Sequence, residues 1–136
     1  MANCWLLKTE PSAYSFAQLA RDTKTVWDGV KNPQALKNLA QIAMGDELLI
    51  YHTGDEKAVV GTATAVSAAY VDPKHNDPKL LVIEIKVGSA LARPVRLAEM
   101  KSNAKFAGWD LVRLPRLSVM AVPPALRREI ERLSHT

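Results

Sequence analysis

The chain has 136 residues, 48% of them hydrophobic and 24% charged, with a net charge of +4, a make-up that excludes a disordered or membrane chain. Its length fits a single domain over residues 1–136, with on the order of two-thirds of its unfolded surface buried. The lone Cys4 excludes an internal disulfide, and His52, His75 and His135 stand too far apart for ligand spacing, so neither a metal nor a cofactor is expected.

Met1-Ala2-Asn3 leads straight into Cys4-Trp5-Leu6-Leu7 with no secretory signal, so a cytoplasmic protein with no membrane partner is expected. Residues 4–9 read as a strand ended by Pro11, with Trp5, Leu7 and Thr9 on one face and Leu6, Lys8 and Glu10 on the other. Ser15 caps a short helix that places Phe16, Leu19 and Ala20 on one side. Val26 and Trp27 form a short extended piece before a turn, and Asn32 then caps a helix over residues 33–43 with Pro33 in its first position. The apolar stripe of that helix is Leu36, Leu39, Ala40 and Ala43, and Gly45-Asp46 stops it.

Residues 47–53 and 58–68 read as two strands of a hairpin joined by Gly54-Asp55-Glu56-Lys57, and Gly61 in the second marks a bulge or a close approach. Asp72-Pro73 and Asp77-Pro78 mark a surface loop over 71–79. Leu81, Ile83, Ile85 and Val87 then alternate as a half-buried strand. Residues 97–105 form a short helix or irregular segment, 108–122 one or two strands broken at Pro115, and Pro123-Pro124 opens a last helix through Leu126, Ile130 and Leu133. Strands predominate without βαβα alternation, which predicts an α+β fold, a small mixed β-barrel with flanking helices.

Several of these stretches together resemble the EVE domain: Trp5-Leu6-Leu7-Lys8-Thr9-Glu10-Pro11, Trp27-Asp28-Gly29-Val30-Lys31-Asn32-Pro33-Gln34-Ala35, Gly45-Asp46 before Ile50-Tyr51-His52-Thr53, Ala69-Tyr70 before Asp72-Pro73, and Val112-Arg113-Leu114-Pro115-Arg116-Leu117-Ser118-Val119. They fall in the family's order across nearly the whole chain. The resemblance implies a PUA-like fold similar to the YTH domain, a reader of methylated adenine in RNA. It also implies a non-catalytic module that recognises a modified nucleobase in DNA or RNA through an aromatic pocket. The chain departs from the family where many members carry arginine, at Lys31 and Leu36, where many carry tryptophan, at Leu80, and where a small polar residue is common, at Pro115.

Trp27 is the candidate stacking face, beside the turn residues Asp28, Gly29 and Val30. Lys8, Thr9, Asn32 and Gln34 are candidates for the base edge or sugar, and Arg113 or Arg116 for a phosphate. Tyr51, His52, Leu80 and Ser118 complete the candidate pocket. For several of these a blander role stands beside this: Trp27 as core, Lys8 and Glu10 as a surface ion pair, Tyr51 and His52 as packed side chains, and Ser118 as partner to a buried backbone group. Two other functions compete with the reader. One is a small-molecule sensor using the same pocket. The other follows the related ASCH domains, some of which look like amidohydrolases acting on modified nucleosides with a lysine, a threonine and a glutamate. Lys8, Thr9 and Glu10 supply those types, but strand alternation sends Thr9 to the opposite face, and the strand's end near Pro11 is expected to keep Lys8 and Glu10 hydrated.

Overall fold

The computed structural model describes residues 2–136. Leu6 and Leu7 have no exposed surface at all, and their burial on both faces puts β1 (Cys4–Thr9) inside the sheet, between β3 (Glu47–His52) and β7 (Val119–Ala121). The β1–β3 pair is parallel, with Lys8 beside Tyr51 and Thr9 beside His52. A parallel pair needs a long crossover. Here the crossover holds α1 (Phe16–Asp22), β2 (Lys24–Trp27) and α2 (Pro33–Gln41). Both helices start where the caps predict: Ser15 accepts from the Gln18 amide, and Asn32 from that of Ala35, with Pro33 following.

β3 turns back through residues 54–57 into β4 (Ala58–Ala65), which pairs with β6 (Leu81–Arg96), and β6 carries both β2 and the short β5 (Tyr70–Val71). Gly61 sits between two register shifts of the β4–β6 pair, and a Cβ there would lie 2.4 Å from the Phe16 ring. The close approach expected at Gly61 is therefore made by a side chain of α1. The loop after β5 is built on two Asp side chains, Asp72 accepting from the Lys74 amide and Asp77 from that of Lys79.

Three expectations need correction. The sheet is not a closed barrel: β2 and β7 are its edges, four and three residues long. In place of strand pairing, α2 packs on β7 and β6 across the gap, with Ala35 and Leu39 fully buried. Secondly, residues 110–113 are helical. Gly108 turns the chain with φ +83°, Trp109 caps α4 (Asp110–Arg113), and Asp110 and Arg113 pair across one turn at 2.8 Å. Only β7 remains of the strands expected over 108–122. Thirdly, β6 runs nine residues beyond Val87, through bulged pairing with β4. α3 (Leu97–Lys101), a single 3₁₀ turn at Ala104–Phe106, and α5 (Pro124–Ser134) complete the chain. The mixed helices and mostly antiparallel sheet make this an α+β, PUA-like fold. No helix among the described residues is long and apolar enough to cross a membrane.

Candidate nucleobase site

The ends of β1 and β2 open onto one concavity of about 670 Å³, lined by Lys8 and Thr9 from β1, Ala13 and Tyr14 from the loop after it, Thr25 to Val30 from β2 and its turn, Lys74, and Ser118, whose carbonyl accepts from the Lys8 amide. Lys8, Thr9, Trp27, Asp28, Gly29, Val30 and Ser118 of the candidate residues are thus brought together. Lys8 and Thr9, the last two residues of β1, line the same space despite alternating along the strand.

Trp27 is both core and pocket wall. It is 7% exposed, close to the 6% of Trp5 and of Trp109, so burial does not set it apart; the fate of its indole N–H does. Trp5 Nε1 donates to Asp46 Oδ2 at 2.9 Å and Trp109 Nε1 to the Ala121 carbonyl at 2.9 Å. Trp27 Nε1 has no acceptor among the described residues. No buried side-chain nitrogen or oxygen among them lacks a partner, so this N–H reaches the surface. The Tyr14 ring meets the indole edge to face, 6.2 Å between centroids at 83°, a favoured aromatic geometry. Tyr14 is held from both ends, its carbonyl accepting from Thr9 Oγ1 at 2.7 Å and its hydroxyl donating to Asp22 at 2.8 Å.

Lys8 is half-buried, and burial draws its ammonium pKa below the usual lysine value. Its Nζ donates to the Pro115 carbonyl at 2.9 Å and lies 5.6 Å from the centroid of the Tyr51 ring. The surface pair with Glu10 is not made, and Lys8 remains partly exposed, its ammonium bond to Pro115 open to solvent. Glu10 is exposed and accepts from Ser12 and Thr53. The Ser12 backbone N–H, more than any other group, holds its carboxyl below the ordinary range.

The remaining candidates lie outside this concavity. Asn32 uses its oxygen on the α2 cap, and Gln34 donates to Asn38 along that exposed helix face. Tyr51 is buried, its phenol pushed up to about 12 by burial. His52 is buried at a junction, Nε2 accepting from the Phe16 amide at 3.0 Å and Nδ1 lying 2.7 Å from Glu56. Leu80 borders a separate small cleft with Gly29 and Val30. Arg113 pairs with Asp110, and Arg116 is exposed in the turn before β7. Sequence reading missed Ala13, Tyr14, Thr25, Val26 and Lys74. Tyr14 had a signal, an aromatic side chain just past a strand end that already held two candidates. Lys74 had none. Among the described residues no set of three or more His, Cys, Asp or Glu side chains is placed to hold a metal ion.

Comparison with known proteins gives this geometry a context. The EVE domain family model matches residues 3–133. Human thymocyte nuclear protein 1 is 28% identical over a match that covers 75% of this chain and 57% of that protein, so the chain spans little more than half the length of the curated relatives it matches. The crystal structure of Atu2648 from Agrobacterium tumefaciens is 32% identical and superposes with a TM-score of 0.92, covering 98% of this chain and 93% of that one. Human THYN1 in complex with 5-methylcytosine-containing DNA superposes with a TM-score of 0.91 over 99% of both chains at 24% identity, a likeness of fold.

Proposed function

The chain belongs to the EVE domain family, and from that premise we propose that it is a non-catalytic module that holds one modified nucleobase of DNA or RNA in the concavity at the ends of β1 and β2. The observation that carries this reading is the aromatic corner of Tyr14 and Trp27 in the lining of the concavity, with an indole N–H the fold leaves unmatched. A base against such a corner gains about 1–3 kcal/mol from stacking, and its edge is read by hydrogen bonds. Lys8 and Lys74 in the lining supply positive charge for a phosphate. A human relative of the same fold is a complex with 5-methylcytosine-containing DNA, which supports a nucleic-acid partner.

The amidohydrolase alternative has one observation in its favour, the lowered pKa of Lys8. Three stand against it. The Lys8 ammonium is bonded to Pro115, the Thr9 hydroxyl donates to the Tyr14 carbonyl, and Glu10 is held in its charged form where a general acid must keep a proton.

The test is to follow the three indole N–H signals by NMR while adding short oligonucleotides, DNA and RNA, with and without one methylated base. Saturable movement of the Trp27 signal alone, stronger with the modified oligonucleotide and with no change in ligand mass on long incubation, is the expected result. Movement with free nucleosides but not with oligonucleotides favours the small-molecule sensor. Chemical conversion that Lys8→Ala abolishes brings back the hydrolase.

A further inference from the structure

Of the fourteen carboxylates in the chain, twelve accept at least one hydrogen bond within the fold. Asp46 takes three N–H donors, Glu47 meets Arg127, Glu99 meets Arg93, and Asp22 meets Tyr14. Among the described residues only Asp28 and Asp55 accept none. Asp55 sits in the exposed turn between β3 and β4, where water solvates it. Asp28 is exposed as well, but it lines the concavity beside Trp27, whose N–H is also unmatched. Two consecutive residues that line one space therefore carry an acceptor and a donor the fold leaves unmatched, in a protein that pairs nearly all its other carboxylates and both its other indoles.

Resting on the base-binding reading, we infer that Asp28 is a specificity-determining residue that selects bases carrying an exocyclic amine over their keto counterparts. A carboxylate only accepts. An amine presents it with hydrogens, and the ring nitrogen next to that amine accepts, which suits the Trp27 N–H. Cytosine and adenine both carry such an edge. The keto counterpart replaces the amine with a carbonyl oxygen and the ring acceptor with an N–H. In thymine or uracil that N–H lies between two carbonyls, so any position that offers Asp28 a donor also sets an oxygen against its lone pairs. A charge left facing an acceptor is what lets a site reject an analogue of the same shape.

The experiment uses single-stranded oligonucleotides that differ at one central base, in three pairs of nearly identical shape: 5-methylcytosine and thymine, cytosine and uracil, adenine and hypoxanthine. In the pair that binds most tightly, the amine member is expected to bind about ten-fold better than its keto partner, the size of one good base-edge contact. Asp28→Asn, which adds donors without adding bulk, is expected to bring that ratio to about one or to invert it. Its thermal unfolding should match the wild type, since Asp28 makes no hydrogen bond inside the fold. Equal binding within every pair, a keto preference in the wild type, or a ratio that Asp28→Asn leaves unchanged overturns the inference while the base-binding reading stands. If no oligonucleotide binds at all, that reading fails, and this inference falls with it.

Discussion

Trp5 with Asp46 and Trp27 with Asp28 are the same two residue types put to opposite use. At one end of the sheet the Trp5 indole and the Asp46 carboxylate meet at 2.9 Å, and Asp46 also accepts from the amides of Asn3 and Ala43. At the other end, donor and acceptor stand side by side and bind nothing within the fold. Burial of the two indoles is nearly equal, 6% and 7% exposed, so burial alone does not separate a structural tryptophan from one at a site. What separates them is whether their polar atoms are matched internally.

The sharpest test of that contrast is hydrogen exchange at the indole nitrogens. Trp5 Nε1–H should exchange only when the sheet opens, on the order of a thousand-fold or more slower than Trp27 Nε1–H. Comparable rates would break the comparison at its root. Next in size is Asp46→Ala, which strands three donors and should cost about 3 kcal/mol in denaturant unfolding, against under about 0.5 kcal/mol for Asp28→Ala.

Acid should tell the same story. Burial pushes the Asp46 carboxyl up, but the Ala43, Trp5 and Asn3 N–H donors outweigh it and leave the pKa below the ordinary 3.8. A group lowered on folding lends stability that is complete above its unfolded value and disappears as the pH falls through its folded one. Stability measured from pH 5 down to 2.5 should therefore decline less steeply in Asp46→Asn than in the wild type.

Trp27→Phe, which keeps most of the buried ring and removes the N–H, should weaken binding of the preferred oligonucleotide by about ten-fold and cost no more than about 1.5 kcal/mol of stability. Trp27→Ala is the poorer probe, because emptying that buried volume costs about 3–5 kcal/mol and confounds affinity with unfolding. Smallest is the salt effect. With Lys8 and Lys74 lining the concavity, the logarithm of affinity should fall with that of salt at a slope of about −1.4 for a single strand, or about −1.8 for a duplex. A slope of zero with affinity intact points to a ligand without a phosphate chain.

Much of this was legible in the residues, for local reasons. Ser15, Asn32 with Pro33, and Pro124 start helices where their chemistry requires. The run from Trp27 to Val30 reached the concavity intact because one turn carries it. What could not be read depends on partners distant in sequence. β6 is held past Val87 by β4, and Leu111 is buried by tertiary packing that strand-like spacing does not reveal. Tyr14 and Lys74 reach the same space only because a parallel crossover and a hairpin loop converge on it. Tyr51 and His52, in register with Lys8 and Thr9, are covered on opposite faces of the strand, the first beside Lys8 and the second by Phe16 and Glu56.

His52 has a consequence for how fast and how tightly anything can bind. Its Nε2 must stay unprotonated to accept the Phe16 amide, which leaves the proton on Nδ1 for Glu56. One imidazole thereby pins the start of α1 to the sheet, while Thr9 Oγ1 fastens the Tyr14 carbonyl just ahead of it. The aromatic wall is thus preorganised by contacts that form during folding, so a ligand need not supply the free energy to order it. Association with the wild type should then be governed by encounter and orientation. Loosening this anchor, as in His52→Ala, would convert part of the affinity into a loop-ordering cost and show first as slower, temperature-dependent capture.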